Sequence, residues 1–366
     1  MGPSARDWRL LARLPGVGPA GLAELAARAP AWPAGWLAAL PPAAAAALRL
    51  WLEHPARSPL SAALEADEAW SDAGPDRHLL HPGHPDWPAL LACIPDPPPA
   101  LWAWGDLAAL TPPRLAMVGS RRPTREGLSN AHGFARALVE RGWSVVSGMA
   151  LGIDGAAQWA ALEAGGRSVA VLAGGVDQVY PARHRRLHER LRAPGGLLVS
   201  EHPPGTRARP AFFPRRNRIV TGLCAGVLVV EAAERSGSLV SARLAGEQGR
   251  EVFALPGSIH NPRARGCLGL IRDGAALVRD IEDILAELPA PEAPPWPPPA
   301  AEVGDDDPDP LLAWLSDAPT PVDALVGLAG LPVADCQRRL LALELEGRAA
   351  PVAGGWVRLP TPTRAC

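Results

Sequence analysis

Between residues 111 and 288 short apolar runs alternate with longer amphipathic stretches. The runs are Leu115–Val118, Val145–Val146, Ser168–Leu172, Gly196–Ser200, Val227–Glu231 and Glu251–Leu255. The stretches near 126–141, 154–164, 183–192, 215–224 and 239–248 space their apolar residues as helices do, and more helices follow through 288. Strands that are apolar on both faces, separated by helices, predict an α/β fold: a doubly wound parallel sheet with right-handed crossovers.

On either side the pattern changes. Residues 1–110 carry short helical periods around 5–14, 20–29 and 43–53, much alanine and eight of the 13 tryptophans, and predict an N-terminal helical domain. Leu14-Pro15-Gly16-Val17-Gly18-Pro19-Ala20-Gly21 is a glycine turn between two helices. It is SAM-like or helix-hairpin-helix-like, or a plain turn in a bundle. Residues 289–310 are proline-rich with an acidic Asp305-Asp306-Asp307 and predict a stiff linker. Residues 311–366 hold helical periods at 311–316, 321–328 and 333–346, then Ala349–Val352 and Trp356–Leu359 as a hairpin. This predicts a small C-terminal winged-helix-like domain. Its few charges, chiefly Arg338, Arg339 and Arg348, leave DNA binding, partner binding and packing open.

The net charge of −2 over 366 residues excludes a protein that coats nucleic acid through bulk charge. The sequence contains no lysine, which excludes a P-loop and Schiff-base chemistry and leaves arginine as the only fixed side-chain cation. The five cysteines form no C-x-x-C pair, so no metal site or disulfide framework is expected. The first residues lack the apolar run of a signal peptide, and no run of ~18 apolar residues spans a membrane. The expectation is a cytoplasmic protein with no membrane partner.

Ligands of open α/β sheets bind at the carboxyl ends of the strands. Four loops there are glycine-rich and small: Gly119-Ser120-Arg121-Arg122-Pro123-Thr124, Ser147-Gly148, Ala173-Gly174-Gly175, and Ser236-Gly237-Ser238. Backbone N–H groups at helix starts favour anions, so these loops predict a polyanion site. Residues 207–218 hold Arg207, Arg209, Arg215, Arg216 and Arg218 around Phe212 and Phe213, with no acid among them. Arginines for phosphates and an aromatic for bases are what single-strand binding needs; one of the two phenylalanines is expected in the core.

With those residues in hand, the chain resembles the DNA-processing protein DprA (Smf) family over about residues 80–285. The resemblance is carried by Gly119-Ser120-Arg121, Ser147–Asp154, Phe213-Pro214-Arg215-Arg216-Asn217-Arg218-Ile219, Ser236–Leu239, Phe253–Gly257 and Leu270–Ala275. It implies an extended Rossmann-like single-stranded DNA-binding domain. It also implies a protein that protects incoming DNA and loads RecA onto it in natural transformation, against occlusion by the single-stranded DNA-binding protein, and that works as a homodimer. Arg121 falls on the family's DNA-contacting arginine and Phe213 on its base-contacting aromatic; Asn217 and Arg218 match a motif that either touches DNA or holds the loop. Two departures are Gln158, where the family usually has histidine, and Cys267-Leu268-Gly269, where it often has asparagine.

The alternative is a nucleotide hydrolase resembling lysine-decarboxylase-like proteins, but their Pro-Gly-Gly-x-Gly-Thr-x-x-Glu hallmark is absent. Asp154, Asp177, Glu201 and Glu231 are therefore expected in structural roles, and no catalytic residues are assigned. The first loop lacks the later glycines of a dinucleotide fingerprint, so no cofactor is expected. His184 and His188 lack a metal-binding partner pattern and are expected at the surface.

Overall fold

The computed structural model describes residues 2–28, 30–288, 309–316 and 319–359. The chain divides into two compact units, Met1–Pro299 and Ala300–Cys366. Almost all of the predicted linker lies outside the described residues.

The first unit is built on a nine-stranded sheet. Its strands are β1 (Arg77–Leu80), β2 (Leu101–Gly105), β3 (Arg114–Gly119), β4 (Ser144–Ser147), β5 (Ser168–Val171), β6 (Gly196–Ser200), β7 (Gly226–Glu231), β8 (Glu251–Ala254) and β9 (Ala276–Leu277). Their spatial order is β1-β2-β6-β5-β4-β3-β7-β8-β9. The seven strands β3 to β9 are parallel, as their unbroken apolar composition predicts. The chain winds from β3 through β4 and β5 to β6, then returns to lay β7 on the other side of β3. The topological switch point therefore lies between β3 and β7.

The expected boundary at residue 110 needs correction. β2 pairs antiparallel with both β1 and β6, so residues 77–105 extend the sheet and do not belong to a helical domain. Helices Ala5–Leu11, Pro19–Ala27, Ala34–Ala39, Pro42–Glu53 and Ser61–Asp72 make up the helical part. They enclose their own core, in which Trp8 meets Trp36 edge-on at 5.8 Å and Leu10, Leu11, Leu22 and Leu48 are buried.

Two further cores cover the two faces of the sheet. Val146, Val169, Val199, Ile219 and Val229 lie in one. Leu115, Val145, Leu228, Phe253 and Ile284 lie in the other. Alternate residues of the same strands enter opposite cores, which is the period-two geometry of a sheet covered on both sides.

The second unit has a winged-helix architecture. A 3₁₀ turn (Pro310–Ala313) stands where the first helix is expected. Helices Val322–Ala329 and Val333–Leu345 follow, then the hairpin of β10 (Ala349–Val352) and β11 (Gly355–Arg358). Its core holds Leu311, Leu325, Leu340 and Leu343.

Candidate nucleic-acid interface

The loops after β3, β4 and β7 interlock. The backbone N–H of Ser120 donates to the Glu231 carbonyl (2.7 Å), and that of Ile153 donates to the Ser120 carbonyl (3.1 Å). The Glu231 carboxylate accepts from the Thr124 N–H (3.1 Å) and from the Thr124 hydroxyl. That hydroxyl also caps the helix Arg125–Glu140 by accepting from the Gly127 N–H (3.0 Å). Thr124 is thus committed to holding its loop against β7, which corrects its assignment as a DNA ligand. Ser147 is corrected on the same ground: it is fully buried, and its hydroxyl donates to the Met117 carbonyl at 2.6 Å, tying β4 to β3.

Gly148 shows why a side chain is excluded here. A Cβ would sit 2.3 Å from the Arg216 guanidinium, which runs directly beneath the loop. Arg216 is buried, and one guanidinium nitrogen donates to the carbonyls of Gly148 (2.8 Å) and Val171. Burial pushes its pKa down to about 10, although the nearby Asp154 opposes the shift. Asp154 accepts from the Gly148 N–H (3.1 Å), and burial raises its carboxyl above the ordinary carboxylate range. Arg216 is therefore a buried brace at the cleft floor, not the exposed phosphate-neutralising cation expected from the sequence.

Arg218 is a second correction. It donates to Asp96 (2.8 Å) and Glu201 (2.6 Å), and its side chain and that of Glu201 are only 4% and 6% exposed. It anchors the helix Phe212–Gly222 to β6 and presents no charge to solvent. Gly174 and Gly175 lie under residues 203–208, and the Gly175 N–H is spent on the Thr206 carbonyl (2.8 Å). Gly175 therefore offers no free N–H to an anion, and Gly174 lines a small pocket.

Most of the remaining predicted residues converge on one cleft, and Arg207, Arg209 and Arg215 lie outside its lining. Arg121, Arg122, Arg207, Arg209 and Arg215 are exposed, and among them only Arg215 forms an ion pair among the described residues, 3.5 Å from Glu201. An open cleft of about 540 Å³ is lined by Gly119, Ser120, Arg121, Arg122, Gly148, Phe213, Asn217, Ser236, Gly237 and Ser238. It lies at the β3/β7 switch point, where the sheet topology leads a ligand to be expected. Ser236 and Ser238 share a hydrogen bond of 2.7 Å within it.

Neither phenylalanine is in the core. Phe212 stacks on His202 at 4.1 Å, and Phe213 is half-buried at the cleft, tilted against Tyr180 at 5.3 Å, with the Arg121 guanidinium 5.7 Å from its ring centre. Sequence reasoning missed Tyr180 and Arg235, which lines the cleft from the β7 loop. The signal for Tyr180 was its place shortly after the β5 glycine loop. The histidines also differ from expectation. His188 is buried and bonded to the Val176 carbonyl (2.9 Å), and His184 meets the Met149 carbonyl (3.1 Å). Gln158, the family's histidine position, is buried too: it accepts from the Met149 N–H (3.1 Å) and donates to the Val169 carbonyl (3.0 Å). It and His184 together hold Met149 at a φ of 53°, a conformation costly for a non-glycine residue.

Each carboxylate weighed for catalysis has a structural partner: Asp154 the Gly148 N–H, Asp177 the Gly205 N–H (2.8 Å), Glu201 Arg218 and Glu231 Thr124. In the second unit Arg338 pairs with Asp335 and Arg339 with Asp309 (3.2 Å), so the longest helix there carries no bare basic stripe. Among the described residues no helix is long and apolar enough to cross a membrane.

A doubly wound parallel sheet with an arginine- and aromatic-lined cleft at its switch point defines a Rossmann-like α/β protein. Comparison with known proteins makes the class specific. Residues 78–289 match the family model described as DNA recombination-mediator protein A, and residues 291–355 match the DprA winged helix domain. Protein Smf of Escherichia coli is 45% identical over 83% of this chain and 82% of its own length. The structure of DNA processing protein A from Streptococcus pneumoniae superposes with a TM-score of 0.68 at 32% identity, covering 79% of this chain and 99% of that one. A DNA processing protein A from Helicobacter pylori, described with its single-stranded DNA binding mode, superposes with a TM-score of 0.52 at 30% identity, over 57% of this chain and 94% of that one. The chain belongs to the DprA/Smf family of DNA recombination mediators.

Proposed function

We propose that this protein binds single-stranded DNA in the cleft at the β3/β7 switch point, shields it, and passes it to RecA as a non-enzymatic mediator of recombination in natural transformation. The observation that carries the reading is Phe213, half-exposed in the cleft with the free cation of Arg121 over its ring. An unpaired base has a π-face for Phe213, whereas a duplex keeps its faces stacked inside. Arg121, Arg122 and Arg235 border the cleft, and Arg207, Arg209 and Arg215 stand on the chain leading into it. They supply the phosphate contacts that a chain of net charge −2 cannot supply in bulk. The single-stranded DNA binding described for the Helicobacter pylori relative supports the same ligand.

A mediator must hold the strand without consuming it, and the structural partners of all four candidate carboxylates favour holding over hydrolysis. RecA, the single-stranded DNA-binding protein that RecA must displace, and a second copy of this chain are the partners this role requires.

The test is a fluorescence-anisotropy titration with a single-stranded oligonucleotide, the matching duplex and mononucleotides. The expected order is single strand well above duplex, with affinity falling by about 0.7 log units per log unit of salt for each phosphate neutralised. Equal affinity for duplex overturns the reading. Release of phosphate or free base from a nucleotide in stoichiometric excess, lost in Glu231→Ala, favours the hydrolase instead. For the RecA step, the protein should shorten the lag of RecA assembly on DNA coated with single-stranded DNA-binding protein; an unchanged lag removes the loading role.

A further inference from the structure

The helix Val333–Leu345 of the second unit is apolar along two rows. Cys336, Leu340 and Leu343 form one row, buried in the unit's own core. Ala334, Arg338, Leu341 and Leu345 form the other, at intervals of four, three and four residues, the spacing of a helix-packing seam. That second row lies about 100° around the helix from the first and faces solvent, with Leu341 56% and Leu345 83% exposed. Two bare leucines one turn apart mark a contact surface rather than a solvated face.

In helix-turn-helix folds the second of two consecutive helices enters the major groove of DNA, where arginine, asparagine or glutamine meets base edges. This helix holds that place, after Val322–Ala329, but its outer seam is built for something else. Leu341 and Leu345 offer nothing to a base edge, Glu344 beside them repels phosphate, and Arg338 is tied to Asp335. Residues 319–359 contain four acids and four arginines, so the unit has no net charge to draw it to a polyanion. A neutral surface with an apolar seam instead fits a copy of itself.

We propose that this helix pairs with the same helix of a second copy of the chain, antiparallel across a two-fold axis through Leu341. Charge complementarity sets the register. Arg338 and Glu344 stand three residues to either side of Leu341, so in this pairing Arg338 of each copy faces Glu344 of the other. The two Leu341 side chains meet on the axis, and each Leu345 falls against Gln337 of the opposing helix. Any shift of register breaks both ion pairs at once. The inference does not depend on the cleft of the first unit and stands whether or not that cleft binds a strand.

The test is disulfide formation between full-length chains in which Cys93 and Cys366 are replaced by serine. Leu341→Cys should give disulfide-linked dimers under mild oxidation. Glu346→Cys, exposed on the same helix about 140° away, should give them at least tenfold more slowly. In the Leu341→Cys background, Arg338→Glu and Glu344→Arg each set like charges opposite one another twice, and each should slow the reaction roughly 5- to 30-fold. The two reversals together should restore it, which general destabilisation of the helix would not do. Thermal melts of all variants should match the parent, because every replaced residue is exposed. Three results overturn the proposal: equal rates at positions 341 and 346, reversals that fail to rescue one another, or duplex DNA that shields the Leu341→Cys thiol from a labelling reagent. The last would return the helix to DNA reading. A thiol shielded without DNA and without crosslinking would mean that another surface of the same chain covers the seam, which also refutes pairing.

Discussion

Replacing Phe213 by leucine separates a stacking role from a packing role. Phe213 belongs to none of the buried hydrophobic clusters of the sheet and touches other rings only through Tyr180 at 5.3 Å. Leucine retains most of the volume, so the melting temperature should move little, within the ±0.5 kcal/mol typical of surface substitutions. Loss of a base-stacking face is worth ~1–3 kcal/mol, a weakening of roughly 5- to 150-fold at every salt concentration. Arg121→Ala should act differently. It removes one exposed cation, so the slope of log affinity against log salt should fall by about 0.7. The two side chains are 5.7 Å apart, and their exposed cation–π contact is worth about 0.5–1 kcal/mol, so the double variant should lose that much less than the sum of the single losses. Anisotropy titrations at four salt concentrations and a thermal melt of each variant suffice. An early-melting Phe213→Leu that binds normally would refute the stacking role, and an Arg121→Ala with an unchanged slope would place the phosphates elsewhere.

Arg218→Ala strips a buried carboxylate of its partner and should destabilise by about 3–5 kcal/mol, whereas Arg215→Ala, half-exposed, should leave the melting temperature nearly unchanged and lower the salt slope by about 0.7. Burial against Trp8 holds His81 down to a pKa of about 4, in a tautomer whose Nδ1 accepts from the Gly83 N–H (3.1 Å). The unfolded ring takes up a proton below pH ~6.5 while the folded ring stays neutral. Stability is therefore complete above pH ~6.5 and lost as the pH falls toward 4, by about 1–2 kcal/mol after discounting for solvent at the ring edge. A His81→Gln variant should flatten that part of a stability–pH curve, and an unchanged curve would refute the assignment. Burial pushes the thiol of Cys224 up to about 12 and that of Cys267 up to about 11, so a thiol reagent should label the exposed Cys93 rapidly and reach those two only on unfolding.

The parallel strands β3 to β8 are legible in the sequence because burial on both faces requires unbroken apolar runs. β1 and β2 are not. Arg77-His78-Leu79-Leu80 is four residues with two polar positions, and Leu101-Trp102-Ala103-Trp104-Gly105 follows a proline cluster, so neither stands out from the helical segment before it. β2 owes its place to pairing with β6, a contact across almost 100 residues of chain that no local pattern announces, and β1 owes its place to pairing with β2. The glycine loops were legible as a cluster, but their division into ligand-facing and internally bonded groups was not. Thr124 and Ser147 have the same hydroxyl as Ser120 and differ only in what lies behind them: a carboxylate on β7 and a carbonyl on β3.

The arginine cluster shows the same limit more sharply. Positions 216 and 218 lie about 200° apart around a helix, so on a helix with one buried face at least one of them must point outward. Both are buried here because the helix Phe212–Gly222 is covered from two directions: Arg216 runs under the loops after β4 and β5, and Arg218 runs toward Asp96 and the end of β6. A sequence count of five cations between 207 and 218 therefore overstates the charge offered to a strand; the exposed ones there are Arg207, Arg209 and Arg215. The two buried arginines matter to binding indirectly. They fix the helix whose first turn presents Phe213 to the cleft, and Arg216 also fixes the Gly148 loop that forms the opposite wall. Loss of affinity on replacing either one reports a displaced Phe213 or a displaced loop unless the salt slope falls with it. Only a fall of about 0.7 per residue identifies an arginine that meets a phosphate.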